Sequence, residues 1–115
     1  MPFSDPSRHL HDILEAIDRI GEFVGDMDFA AYQGDEKTKA AVERKLQILT
    51  EAIIRLVDES PGAYPEIDQK GYRGMGNVLR HSYHRVDDRI VWDTVKEELP
   101  ALKDADKTIL NRLGS

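Results

Sequence analysis

The chain has 115 residues, a size suited to one domain, and 40% hydrophobic with 33% charged side chains describes a soluble globular protein rather than a disordered or collagen-like one. It has no cysteine, which rules out a disulfide framework and a thiolate metal site and suits a reducing compartment. A formal net charge of −6 argues against broad nucleic-acid coating. Neither a secretory signal nor an apolar run of roughly 18 residues stands out, so one domain over residues 1–115, cytoplasmic and off the membrane, is the expectation.

Helical periodicity runs from end to end. Asp5 before Pro6 supplies an N-cap acceptor and then the one helical position where a missing N–H costs nothing. Leu10, Ile13, Leu14, Ile17, Ile20 and Val24 follow on one stripe, and Gly21 and Gly25 weaken its end. A short helical turn is expected from Asp28 to Tyr32, before Gly34.

Asp35 caps the longest helix, which reaches about Glu59 with Val42, Leu46, Leu49, Ile53, Leu56 and Val57 inward; Ser60-Pro61-Gly62 stops it. A third helix is predicted from Glu66 or Ile67. Gly71, Gly74 and Gly76 stand inside it, each costing up to about 1 kcal/mol relative to Ala, and they imply close backbone packing or room for a ligand. The chain turns around Arg85-Val86-Asp87, and Asp87 or Asp88 caps a fourth helix with Ile90, Val91, Thr94 and Val95 inward. Pro100 is expected either to kink this helix or to open a new turn carrying Leu102, Ile109, Leu110 and Leu113. No segment alternates at period two for the length of a strand. The expected fold is all-α: an up-and-down four-helix bundle with an extra helical segment after Pro100.

The acidic total hides a basic island. From Lys70 to Val86 there are four Lys/Arg, two His and no Asp or Glu, while the rest of the chain holds 12 basic and 22 acidic side chains. A site for a phosphate-bearing partner needs such an island; chance clustering on a solvated face produces one as well. Within it Arg73, Asn77, Arg80 and His81 sit at offsets of 0, 4, 7 and 8, on one face of the third helix. Two guanidinium groups, an amide and an imidazole can hold a phosphodiester by charge-assisted hydrogen bonds while His81 moves protons near neutral pH. The plain alternative is that both arginines pair with carboxylates and His81 closes the helix. Tyr83 follows within reach of the same face. His9 and His11 point in different directions, and His81 with His84 lacks an acidic or thiolate companion, so no metal site is expected. No dinucleotide fingerprint, P-loop or nucleophile elbow occurs. Trp92 reads as a core or interface anchor.

The run from Arg73 through Tyr83, followed by Arg85-Val86-Asp87 and Ile90-Val91-Trp92-Asp93-Thr94-Val95, resembles the HepT-like branch of the HEPN superfamily, and the likeness extends over the layout of the whole chain. That resemblance implies a small helical bundle acting as a metal-independent endoribonuclease toxin, without a cofactor, paired with a nucleotidyltransferase antitoxin of the MntA type. The signature of that family is an Arg, a following Asn, a His, and a Tyr two residues after the His. Asn77, His81 and Tyr83 match it, whereas Gly76 stands where the Arg belongs; Arg73, one turn earlier, is the expected replacement and Arg80 the other candidate, and Gly76→Arg is expected to raise activity.

The roles implied are proton transfer by His81, phosphorane stabilisation by Arg73 or Arg80, orientation by Asn77, and AMPylation of Tyr83 by the antitoxin. RNA is the implied substrate, and a homodimer is implied by motifs that face a shared cleft. Trp92 and an apolar strip without obvious cover inside the chain point to the same dimer. The alternative function is a binding module of the same fold that pairs with a nucleotidyltransferase and has lost cleavage.

Overall fold

A computed structural model describes residues 5–81 and 86–114. Three acidic N-caps organise its first half. Asp5 accepts the Ser7 N–H at 3.0 Å and opens α1, Pro6–Val24; Gly25, at φ 52°, ends it in a conformation that favours glycine. Asp28 accepts the Ala31 N–H at 2.8 Å over α2, Phe29–Gln33. Asp35 accepts the Thr38 N–H at 3.0 Å over α3, Glu36–Glu59, and that bond holds its carboxyl below the usual range.

The next helix, α4, spans Gln69–His81, two to three residues later than predicted. Its start is set by Asp68, whose carboxylate accepts the Gly71 N–H at 3.1 Å and whose carbonyl accepts the Tyr72 N–H. Glu66 and Ile67 belong to the preceding turn, from which Ile67 is buried in the core.

Asp87 caps α5, Asp88–Asp93, by accepting the Arg89 N–H at 2.9 Å. A single π-helical turn, Thr94–Glu98, then runs into α6, Leu99–Arg112. Pro100 stands in the first turn of α6, so the helical segment expected after it is present, joined to α5 through the π-turn. A proline ring crowds the carbonyl four residues back and brings no N–H. The wider turn just before it, in which Leu99 N–H reaches the Thr94 carbonyl, takes up that conflict.

The four long segments alternate in direction. His9 at the start of α1 meets Glu59 at the end of α3, Arg73 at the start of α4 meets Asp58, and Lys103 early in α6 meets Asp18 late in α1. The result is the all-α up-and-down bundle the periodicity requires, with α3 between α1 and α4, and α6 against α1. Leu10, Ile13 and Ile20 of α1, Val42, Leu46, Leu49 and Ile53 of α3, and Ile109 of α6 are wholly buried. No helix of the described residues is long and apolar enough to cross a membrane.

Three expectations change. Ile90 points outward and is 55% exposed, because Val91 and Trp92 occupy the inward positions of α5. Leu113 lies beyond the end of α6 and is 44% exposed. Trp92 has cover within its own chain: Phe29 and Tyr32 of α2 pack on it with ring centroids at 6.1 and 5.3 Å, and the Lys96 ammonium sits 5.0 Å from its centroid. The helical turn of residues 29–33 thus does the covering that a second copy was expected to do, and Trp92 no longer argues for a dimer.

Candidate functional site

Helix α4 has two unlike faces. Tyr72 and Gly76 are buried, with Met75 and Leu79 half-buried beside them. Asn77, Arg80 and His81 are exposed on the other side, and Arg73 lies on the flank between. The sequence-predicted constellation is therefore brought together on one solvent-facing surface. Tyr83, with Ser82, His84 and Arg85, lies outside the described residues.

Gly76 explains one of the odd glycines. A Cβ built on it would lie 3.2 Å from Thr50 Oγ1 and 3.4 Å from Thr50 Cβ. Thr50 is itself wholly buried and pinned by donating its hydroxyl to the Gln47 carbonyl at 2.9 Å. The position at which the related signature carries an arginine thus packs tightly against α3 and faces it rather than solvent. Gly74 has nothing near its missing Cβ, and the structure gives no packing reason for it.

The two arginines differ in electrostatic state. Arg73 donates from Nη2 to Asp58 Oδ1 of α3, so its charge is largely compensated. Arg80 donates from Nη2 to Asn77 Oδ1 at 2.9 Å, a neutral acceptor, and has no carboxylate partner among the described residues. A guanidinium oriented by an amide and left uncompensated attracts phosphate more strongly than one already paired. His81, the last residue of α4, stands one residue on and is exposed. The exposed Val78 borders this surface.

Several polar groups that shape the molecule were not singled out from the sequence. Lys39 is buried, with Nζ 3.2 Å from Asp88 Oδ2 and 3.0 Å from Glu36 Oε1; this pair fastens the first turn of α5 to the first turn of α3. Glu36 three residues before Lys39 is a visible signal, but its link to Asp88 spans 49 positions. Asp106 on α6 is wholly buried with neither carboxylate oxygen hydrogen-bonded among the described residues, and burial pushes its carboxyl up to about 7. Among the described residues no three His, Asp or Glu side chains converge as a metal-binding group.

A sequence profile described as ribonuclease HepT-like matches residues 13–109 of this chain. The chain is 40% identical over 95 residues to a protein of Thermococcus cleftensis named "Probable ribonuclease HepT", covering 83% of this chain and 86% of that protein. It is 35% identical over 113 residues to a protein of Methanocaldococcus jannaschii named "Putative RNase", covering 98% and 97%. No solved structure matches.

Proposed function

The chain belongs to the ribonuclease HepT-like family, and on that premise we propose that it is a metal-independent endoribonuclease acting as the toxin of a toxin–antitoxin pair. The observation that carries this reading is the α4 surface, where the uncompensated Arg80 guanidinium, held by Asn77, stands beside the exposed His81 imidazole.

In the reaction His81 takes the proton of a ribose 2′-hydroxyl, and the 2′-oxygen attacks the adjacent phosphorus. The bond to the 5′-oxygen breaks, that oxygen leaves with a proton, and the products are a 2′,3′-cyclic phosphate and a 5′-hydroxyl. Arg80 stabilises the charge that builds on the phosphorane oxygens, and Asn77 fixes its guanidinium in place. The pairing with Asp58 gives Arg73 a lesser part, so Arg80 takes the place that the sequence assigns to Arg73 as replacement for the signature arginine. Each chain brings one motif histidine, and acid and base come from two copies whose α4 faces meet across a cleft. Tyr83 is the residue that an MntA-like nucleotidyltransferase would AMPylate, placing a phosphate where RNA phosphate binds.

One observation favours a second reading, in which the same bundle binds RNA or its partner without turnover: the signature arginine position is Gly76, closed off against Thr50. Cleavage of RNA in EDTA separates the two. The expected result is cleavage with cyclic-phosphate ends, lost in His81→Ala, reduced at least about 100-fold in Arg80→Ala and far less in Arg73→Ala. Absence of cleavage by the wild type together with RNA retention would establish the binding module. Incubation with the nucleotidyltransferase and ATP is expected to add AMP mass to the wild type and none to Tyr83→Phe.

A further inference from the structure

Gly71 is a second odd glycine with a local cause. A Cβ built on it would lie 2.5 Å from Asp68 Oδ2, so a side chain there displaces the carboxylate that starts α4. On this flank of α4, turned away from Arg73 and Arg80, two cavities open toward the π-turn and the start of α6. The larger, of about 250 Å³, takes in Gly71 and Met75, and the smaller, of about 80 Å³, takes in Leu102. Asp68, Tyr72 and Glu98 line both.

Every charged group lining these cavities is acidic. Glu66, in the smaller, is already answered by Arg112. Asp68 and Glu98 have no cationic partner among the described residues; the Asp68 carboxylate accepts the Gly71 N–H alone. Tyr72 is only 7% exposed, yet its hydroxyl makes no hydrogen bond among the described residues. Burial, then the charges of Glu98 and Asp68, raise that hydroxyl well above the usual range, so it is neutral at physiological pH and lies in the field of both carboxylates. A buried hydroxyl without a partner is costly and is a vacancy for an N–H donor. Phosphate is repelled here, and no three acidic groups converge as a metal ion requires among the described residues. An organic cation whose N–H groups stand apart on an aliphatic stem meets these acceptors.

We propose that the two cavities form one site for a linear aliphatic diamine in its doubly protonated form, the ammonium N–H groups donating to Asp68, Glu98 and the Tyr72 hydroxyl and the methylenes lying against Met75 and Leu102. Two uncompensated carboxylates match two ammonium charges, and a ligand running from one cavity into the other passes the three groups that line both. The site involves neither Arg80 nor His81, so it stands whether or not the chain cleaves RNA.

The test adds the four-carbon diamine putrescine to the isotope-labelled full chain at low ionic strength, about 0.05 M, and follows backbone amide shifts by nuclear magnetic resonance. Saturable shifts at Gly71, Tyr72 and Glu98 are expected, with binding about 10-fold weaker in Tyr72→Phe, which keeps the ring and removes the hydroxyl, and in Glu98→Gln. Circular dichroism confirms the helical fold of each variant, and Glu98→Gln, at an exposed position, carries the measurement alone should Tyr72→Phe fail to fold. Tetramethylammonium, a cation without N–H groups, is expected to leave the same amides in place. Absence of saturation by putrescine overturns the site, as do equal shifts with tetramethylammonium or unchanged affinity in the folded variants. Tighter binding of N-acetyl-lysine amide than of putrescine overturns the free diamine in favour of a lysine presented by another protein.

Discussion

The two interfaces that α3 makes are built differently. Toward α1 it meets Leu10, Ile13, Ile17 and Ile20 with Leu46, Leu49 and Ile53, a continuous apolar seam with almost no exposure. Toward α4 the buried positions of that helix are Tyr72, which also borders Glu98 and Leu102, and Gly76, whose backbone lies against a threonine. Burial of a Leu or Ile side chain contributes about 1.5–3 kcal/mol and that of a glycine contributes next to nothing. The helix carrying the candidate chemistry is thus the more weakly fastened of the two, which suits an element that must accommodate substrate, because binding elements come from the low-stability end of a fold.

The largest effect expected from breaking this contrast is in the apolar seam. Leu46→Ala should cost about 2–5 kcal/mol, lowering the urea midpoint of the whole molecule, whereas Leu79→Ala on α4, half-buried, should cost less than half as much. Amide hydrogen exchange reads the same contrast without mutation: α4 is expected to exchange before α1 and α3, and equal protection of all three would remove the distinction.

Next in size is Asp106. Its folded carboxyl titrates at about 7 while an unfolded aspartate titrates near 3.9, so between those values the folded state holds the extra proton and stability falls as pH rises. The stability is full below about pH 4 and the loss complete above about pH 7. Asp106→Asn removes that ionisation, and a gain of about 2–4 kcal/mol at pH 8 with little change at pH 4 is expected from denaturant titrations. A pH-independent difference would show that the carboxylate finds a partner.

The smallest effect concerns the thin side. Gly76→Arg restores the residue type of the related signature, yet its Cβ meets the pinned Thr50, so a loss of about 1–3 kcal/mol is expected rather than a gain in activity. A Gly76→Arg variant with wild-type melting temperature and faster RNA cleavage would show that α4 lifts off α3 at no cost.

What the sequence makes legible here is local. Asp5-Pro6, Asp35 and Asp87 mark helix starts because a cap acts within three residues. The apolar stripes give the inner faces of α1 and α3, and the offsets of Arg73, Asn77, Arg80 and His81 place them together. What stays hidden depends on partners distant in the chain. Tyr32 covers Trp92 from 60 residues away, Asp58 claims Arg73, Thr50 meets Gly76, and Lys39 finds Asp88. Ile90 was expected inward because it is apolar, and only the rotation of α5 set by Val91 and Trp92 turns it out. The π-turn is hidden for another reason: proline announces a conflict with the ladder but not which turn absorbs it.

The contact between Gly76 and Thr50 also constrains the order in which this sequence can change. An arginine arriving at 76 while a threonine fills position 50 is penalised at once, whereas a smaller residue arriving first at 50 loses only the contacts of the few atoms removed. A lineage passing between the two forms of the signature is therefore expected to change at 50 before it changes at 76. The fitness of either substitution is defined only by the residue already present at the other position.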